Sequence, residues 1–179
     1  NEDTNKITQM LMTRPYRMEE HNVVLNETDR TVVALLWHEN IVDVMPTQIE
    51  ALGFSNKWYQ PAFENAIHHS LGDENIKIFT PPYFLASKLE AFLQRGKNDG
   101  RTSTDFEDII FLLENRSTIW KELNDAEATL STYLKETFRK LMQNENFEEW
   151  VDCHAGFGRV PATYFIMEQL NIIISKEGK

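Results

Sequence analysis

The sequence predicts an α+β fold, a small mixed or antiparallel sheet followed by a C-terminal helical bundle. Two observations carry that expectation. Short β-rich runs occupy the first half of the chain, and helical periodicity with helix-start signals takes over from the Pro81-Pro82 pair onward. Residues 1–80 are therefore expected to form an α/β core, and residues 81–179 a helical region packed on it in one compact unit.

Taken in order, residues 4–21 read as a short helix around Ile7, Met10 and Leu11 that Pro15 interrupts. Runs 31–37 and 41–45 read as strands joined by a turn at His38-Glu39-Asn40. The second run alternates, with Val42 and Val44 on one side and Ile41, Asp43 and Met45 on the other, and Pro46 ends it. The aromatic-rich "LGFSNKWYQPAF" is a connection, His68-His69 falls in a polar helix, and "IKIF" at 76–79 is a third strand. Thr80 followed by Pro81 starts a helix: the hydroxyl caps it, and proline loses nothing at its first position. Gly96 stops that helix. Thr104 and Glu107 have capping-box spacing for the next one. Ser117, Asn124 and Asp125 are further caps, with a long amphipathic stretch over 125–143. Gly156 and Gly158 break the following helix, and Pro161 starts the last, which ends near Ile174.

With 179 residues, 41% apolar and 26% charged, the chain has enough apolar material for the buried core of a globular protein. A net charge of -10 argues against a surface that binds nucleic acid by broadly covering phosphates, so any phosphate site is expected to be a local basic pocket. The single cysteine, Cys153, cannot form an internal disulfide, which points to a reducing cytoplasmic compartment. No apolar run approaches the roughly 18 residues of a membrane span. There is no signal-peptide pattern, internal repeat or glycine-rich phosphate loop; the first glycine is Gly53.

Three groups of residues could carry chemistry. Lys88 lies on or beside the apolar stripe formed by Phe84, Leu85, Leu89, Phe92 and Leu93, where an ammonium must snorkel, lose its proton or find an anion. Ala91 and Arg95 follow at spacings of three and seven on the same side. Ala91 leaves room for a second helix, and Arg95 lies about 10 Å further along the axis, a span suited to neighbouring phosphates. Asp105 and Asp108, three apart, share a helix face. The helix dipole alone would account for Asp105, whereas Asp108, beside Ile109, Ile110, Leu112 and Leu113, is suited to pair with Lys88 or Arg95. Asp43 interrupts the apolar run "IVDVMP"; its strand face is either solvated, or it is a metal-binding or basic carboxylate on a rigid strand. His68-His69 and Cys153-His154 lack metal-ligand spacing, and Trp58-Tyr59 reads as a packing plug.

The segments "VDVMPTQIEALGFSNKWY", "TPPYFLASKLEAFLQRG" and "STDFEDIIFLLENR" resemble, in this order, the nucleotidyltransferase-like family grouped with AbiE-type toxins of toxin–antitoxin systems. The similarity covers about residues 31–120. K-x-x-A-x-x-x-R matches Lys88, Ala91 and Arg95; D-x-x-D matches Asp105 and Asp108; Asp43 matches the carboxylate ending the preceding strand. The resemblance implies a polymerase-β-like core followed by helices. It also implies Mg²⁺-dependent transfer of a nucleoside monophosphate from a nucleoside triphosphate to a hydroxyl acceptor, be it tRNA, protein or a small molecule. In that scheme Asp43 holds Mg²⁺ or orients the acceptor hydroxyl, and Lys88 binds triphosphate oxygens. Arg95 supports the phosphates or the acidic helix, while Asp105 and Asp108 position Lys88. The family's upstream glycine-serine turn and D-x-D pair are absent, since the sequence contains no D-x-D. They are expected upstream of Asn1, and without them residues 1–179 are expected to be inactive or nearly so. The unpaired edge this leaves beside residues 31–45 is expected to be covered or shared in a homo-oligomer, and an antitoxin is a further expected partner. The rival expectation is a catalytically inactive nucleotide-binding or protein-interaction module on the same scaffold.

Overall fold

The computed structural model describes residues 33–37, 40–44, 56–72, 74–156 and 162–175, the first two segments by their backbone. The helix expected over residues 4–21 and the turn at His38-Glu39 lie outside them. The chain divides into two compact units, residues 1–55 and 56–179. In the first, β1 (Val33–Trp37) and β2 (Asn40–Val44) pair antiparallel, with Val33 opposite Val44 and Ala34 opposite Asp43. The expected hairpin is present, with Asn40 belonging to the second strand rather than to the turn.

The second unit is mostly helical. Among the described residues its helices are α1 (Tyr59–Glu64), α2 (Pro81–Arg95), α3 (Thr104–Asn115), α4 (Ile119–Asp125), α5 (Ala128–Leu141), α6 (Phe147–His154) and α7 (Ala162–Ser175). It also carries a small antiparallel hairpin of β3 (Ile67–Leu71) and β4 (Glu74–Ile78). β4 corresponds to the expected third strand. β3 corrects the helix expected around His68-His69: the two histidines alternate along a strand, opposite Lys77 and Ile76. Gly72 explains the hairpin, since it takes φ +61°, a left-handed conformation that glycine adopts without a Cβ penalty.

Two apolar helices organise the core. α2 buries Leu85, Ala86, Leu89 and Phe92, and α3 buries Phe106, Ile109, Ile110 and Leu113. These stripes repeat at three and four residues, so each faces one side of its helix. Phe92 and Phe106 meet with ring centroids 5.1 Å apart, and Trp150 of α6 closes on both at 6.0 and 5.9 Å. α7 packs against α3, α4, α5 and α6, burying Ile166, Leu170 and Ile173. Leu93, read from sequence as part of the α2 stripe, is instead exposed.

Helix ends depart from the sequence reading in instructive ways. Thr80 is the N-cap of α2, yet its hydroxyl makes no capping hydrogen bond. Pro82, at the second helical position, removes one of the two N–H groups such a cap could serve, and the Thr80 carbonyl accepts from Phe84 N–H at 2.9 Å. The cap of α3 is Ser103, whose hydroxyl accepts from Phe106 N–H at 3.3 Å, so the expected Thr104/Glu107 capping box is corrected by one residue. The expected stretch over 125–143 is broken: Asp125 ends α4, and Ala126 and Glu127 have extended backbones before α5.

Gly96 does stop α2, but with φ -74°; the left-handed residues are Lys97 and Asn98, at 51° and 56°. What requires glycine here is close approach. A Cβ at position 96 would stand 2.3 Å from Cδ2 of Phe92, whose ring is buried and has no room to retreat. We predict that Gly96→Ala lowers the unfolding free energy by about 1–3 kcal/mol through overpacking. Gly72→Ala meets no atom within 4 Å and should cost only about 1 kcal/mol of backbone strain. Urea unfolding of both variants measures the order, and the reverse order would show that contact with Phe92 is not what fixes Gly96.

Candidate functional site

Lys88 and Arg95 stand two turns apart on α2, with buried Ala91 between them on the same flank. α3 packs alongside and presents Asp105 and Asp108 from its first two turns. The four charged ends meet. Arg95 donates from Nε to Asp105 Oδ2 and from Nη2 to Asp105 Oδ1, both at 2.7 Å, a two-pronged pairing that fixes the carboxylate plane. Lys88 Nζ lies 2.6 Å from Asp108 Oδ2 and 3.5 Å from Asp105 Oδ1. Its ammonium also stands 5.7 Å from the centre of the Phe84 ring, one turn back on α2. That answers what holds a cation beside an apolar stripe: two carboxylates from the neighbouring helix and an aromatic face.

Burial divides the two aspartates. The Asp105 side chain is 4% exposed, and that of Asp108 46%. Burial raises the Asp105 carboxyl, but the Arg95 hydrogen bonds and the charges of Arg95 and Lys88 outweigh it, so the group titrates below its ordinary range. Arg95 is correspondingly raised by its hydrogen bonds to Asp105, against the opposing effect of burial. The dipole role foreseen for Asp105 is thus the smaller part of its function. It is the buried carboxylate that both cations share, and its signs in the sequence were its i to i+3 relation to Asp108 and the D-x-x-D of the family resemblance.

Asp43, the remaining expected site residue, stands on β2 opposite Ala34, and its side chain lies outside the described residues. Trp58 is a buried plug, as read from sequence. It packs on Tyr133 at 4.8 Å, and Tyr133 donates its hydroxyl to Glu90 at 2.8 Å. Lys57 adds an ion pair to Glu90 at 3.3 Å and covers the Tyr133 ring at 4.3 Å. Sequence reasoning missed this second polar cluster, because its members come from the α1 approach, α2 and α5. Burial, then the Glu90 hydrogen bond and charge, push the Tyr133 phenol far above its ordinary value. His68 and His69 are exposed, and His154 Nε2 lies 2.7 Å from the Gly100 carbonyl with its ring beside Phe106. Among the described residues no three His, Cys, Asp or Glu side chains gather as metal donors, and no helix is long and apolar enough to cross a membrane.

Replacing Asp105 removes two hydrogen bonds of Arg95 and the longer of the two Lys88 contacts. We predict that Asp105→Ala lowers stability by about 1–2 kcal/mol, since the Arg95 left behind is more than half exposed and stays hydrated, whereas Asp108→Ala, at an exposed pair, costs less than about 1 kcal/mol. The Asp105 contribution has a pH signature. Its folded carboxyl lies below the unfolded value of about 3.9, so its stabilisation is full above that pH and is lost as pH falls through the folded value. Urea titrations of wild type and Asp105→Asn should therefore converge in acid, and curves that stay parallel below pH 4 would refute the assignment. No family model matches this chain, and no curated protein or solved structure shows significant similarity to it.

Proposed function

We propose that the α2–α3 charge cluster is the phosphate-binding side of a nucleotidyltransferase-like site, one that transfers a nucleoside monophosphate from a nucleoside triphosphate to a hydroxyl acceptor. The observation that carries this reading is the meeting of Lys88, Arg95, Asp105 and Asp108 across two consecutive helices. These are the residues that the family resemblance assigns to nucleotide handling. A lysine kept in place by neighbouring carboxylates is a preorganised point charge, and such a charge counts most where negative charge gathers on phosphate oxygens.

In this reading each residue does different work. Lys88, 27% exposed, is the group that would meet triphosphate oxygens. Arg95 has Nε and Nη2 committed to Asp105, which favours the second of its two expected roles, support of the acidic helix. Asp105 is a positioning residue acting through both cations. Both oxygens of Asp105 and Oδ2 of Asp108 are paired with the Lys88 ammonium or the Arg95 guanidinium, so that a Mg²⁺ ion beside them would stand against two cations. Under the family resemblance a metal would fall to Asp43.

A non-catalytic nucleotide-binding or interaction module is the second reading. It is favoured by the mutual neutralisation of the cluster, since two cations meet two carboxylates. Acceptor identity, an antitoxin partner and self-association through the β1–β2 edge are proposals of the first reading. The deciding experiment incubates the protein at its full natural length with Mg²⁺ and each α-labelled nucleoside triphosphate, with tRNA and protein supplied as acceptors. We expect label transfer that falls at least about 100-fold in Lys88→Ala and Asp43→Ala. Nucleotide binding without transfer by the wild-type protein would favour the module, and the absence of both would overturn the nucleotide reading.

A further inference from the structure

We infer that Asp108 is a displaceable counter-ion, holding Lys88 until a phosphate takes its place, and so sets the affinity of the site for polyphosphate. This rests on the nucleotide reading above and adds a regulating residue to it. The four charges sum to zero, so an approaching polyanion meets no net attraction from the quartet while all its pairs are closed. For Lys88 to serve a phosphate, one of its carboxylate partners must give way.

The two partners differ in their freedom to do so. Asp105 is buried and fixed by both prongs of Arg95, and moving it would break two 2.7 Å hydrogen bonds. Asp108 is nearly half-exposed and stands 2.6 Å from the lysine. It belongs to the second turn of α3, where a rotamer change carries the carboxylate into water at little desolvation cost. The exchange moves no backbone: Lys88 keeps Asp105 as its anchor, and a phosphate oxygen takes the position of Asp108 Oδ2. Asp108 thus competes with the ligand for one ammonium, and removing its charge leaves the cluster with a net charge of plus one.

The test is calorimetric titration of the protein with inorganic triphosphate in metal-free buffer. Asp108→Asn and Asp108→Ser should both bind triphosphate about tenfold more tightly than wild type, from the loss of one nearby like charge. Lys88→Met, which keeps the side chain's packing, should abolish the binding. Far-UV circular dichroism and thermal melting establish that each variant is folded, and the two Asp108 replacements check one another. If Lys88→Met abolishes binding while both Asp108 variants bind no more tightly than wild type, the counter-ion inference fails and the nucleotide reading stands. If folded wild type and Asp108 variants all fail to bind triphosphate, or if Lys88→Met binds it as wild type does, the phosphate role of Lys88 falls and the inference with it.

Discussion

The carboxylate of Asp105, buried between α2 and α3, is the constraint on which the described site depends. It is a desolvated negative charge, costly on its own, and it is tolerable because Arg95 meets it with two parallel hydrogen bonds and Lys88 adds a third contact. The pairing has a geometric consequence beyond its energy. A planar fork accepts a carboxylate in few orientations, so it sets the axial register of α3 against α2. That register in turn brings Asp108 to Lys88 and Phe106 to Phe92.

Polar and apolar contacts at this helix pair therefore support each other. The aromatic cluster of Phe92, Phe106, Phe147 and Trp150 supplies non-directional burial, while the ion cluster on the adjoining flank supplies direction. The connection from Gly96 to Ser103 fits between them. Gly96 admits the Phe92 ring, Gly100 lies so near Trp150 that a Cβ would stand 2.8 Å from it, and Ser103 caps α3. Each contact narrows the paths by which α2 can turn into α3.

The α2–α3 site was legible in the sequence where spacing alone decides neighbours. Three- and seven-residue separations put Lys88, Ala91 and Arg95 on one flank, and D-x-x-D put two carboxylates on another. Depth was not legible, because which aspartate is buried depends on how two helices cross. Cap positions slipped where two hydroxyls stand side by side, at Ser103 and Thr104, since loop geometry selects between them. The break between α4 and α5 contains neither glycine nor proline, so periodicity ran through it. The β3 strand was hidden by its polar residues, although Gly72-Asp73 between "IHHSL" and "ENIKI" is a hairpin signal.

The double proline at the start of α2 bears on how this molecule could capture an anion at all. Many phosphate sites use the free N–H groups of a helix's first turn, whose number and direction are fixed by the backbone itself. Here the first two residues of the helix, Pro81 and Pro82, have no N–H to offer, so that end of α2 is a poor cradle. In the proposed site, recognition on this helix would instead fall to a side-chain ammonium two turns in, that of Lys88. Main-chain cradles resist change because no side-chain replacement removes them, whereas a site built on one lysine and its escorts can be retuned, or silenced, by a single codon.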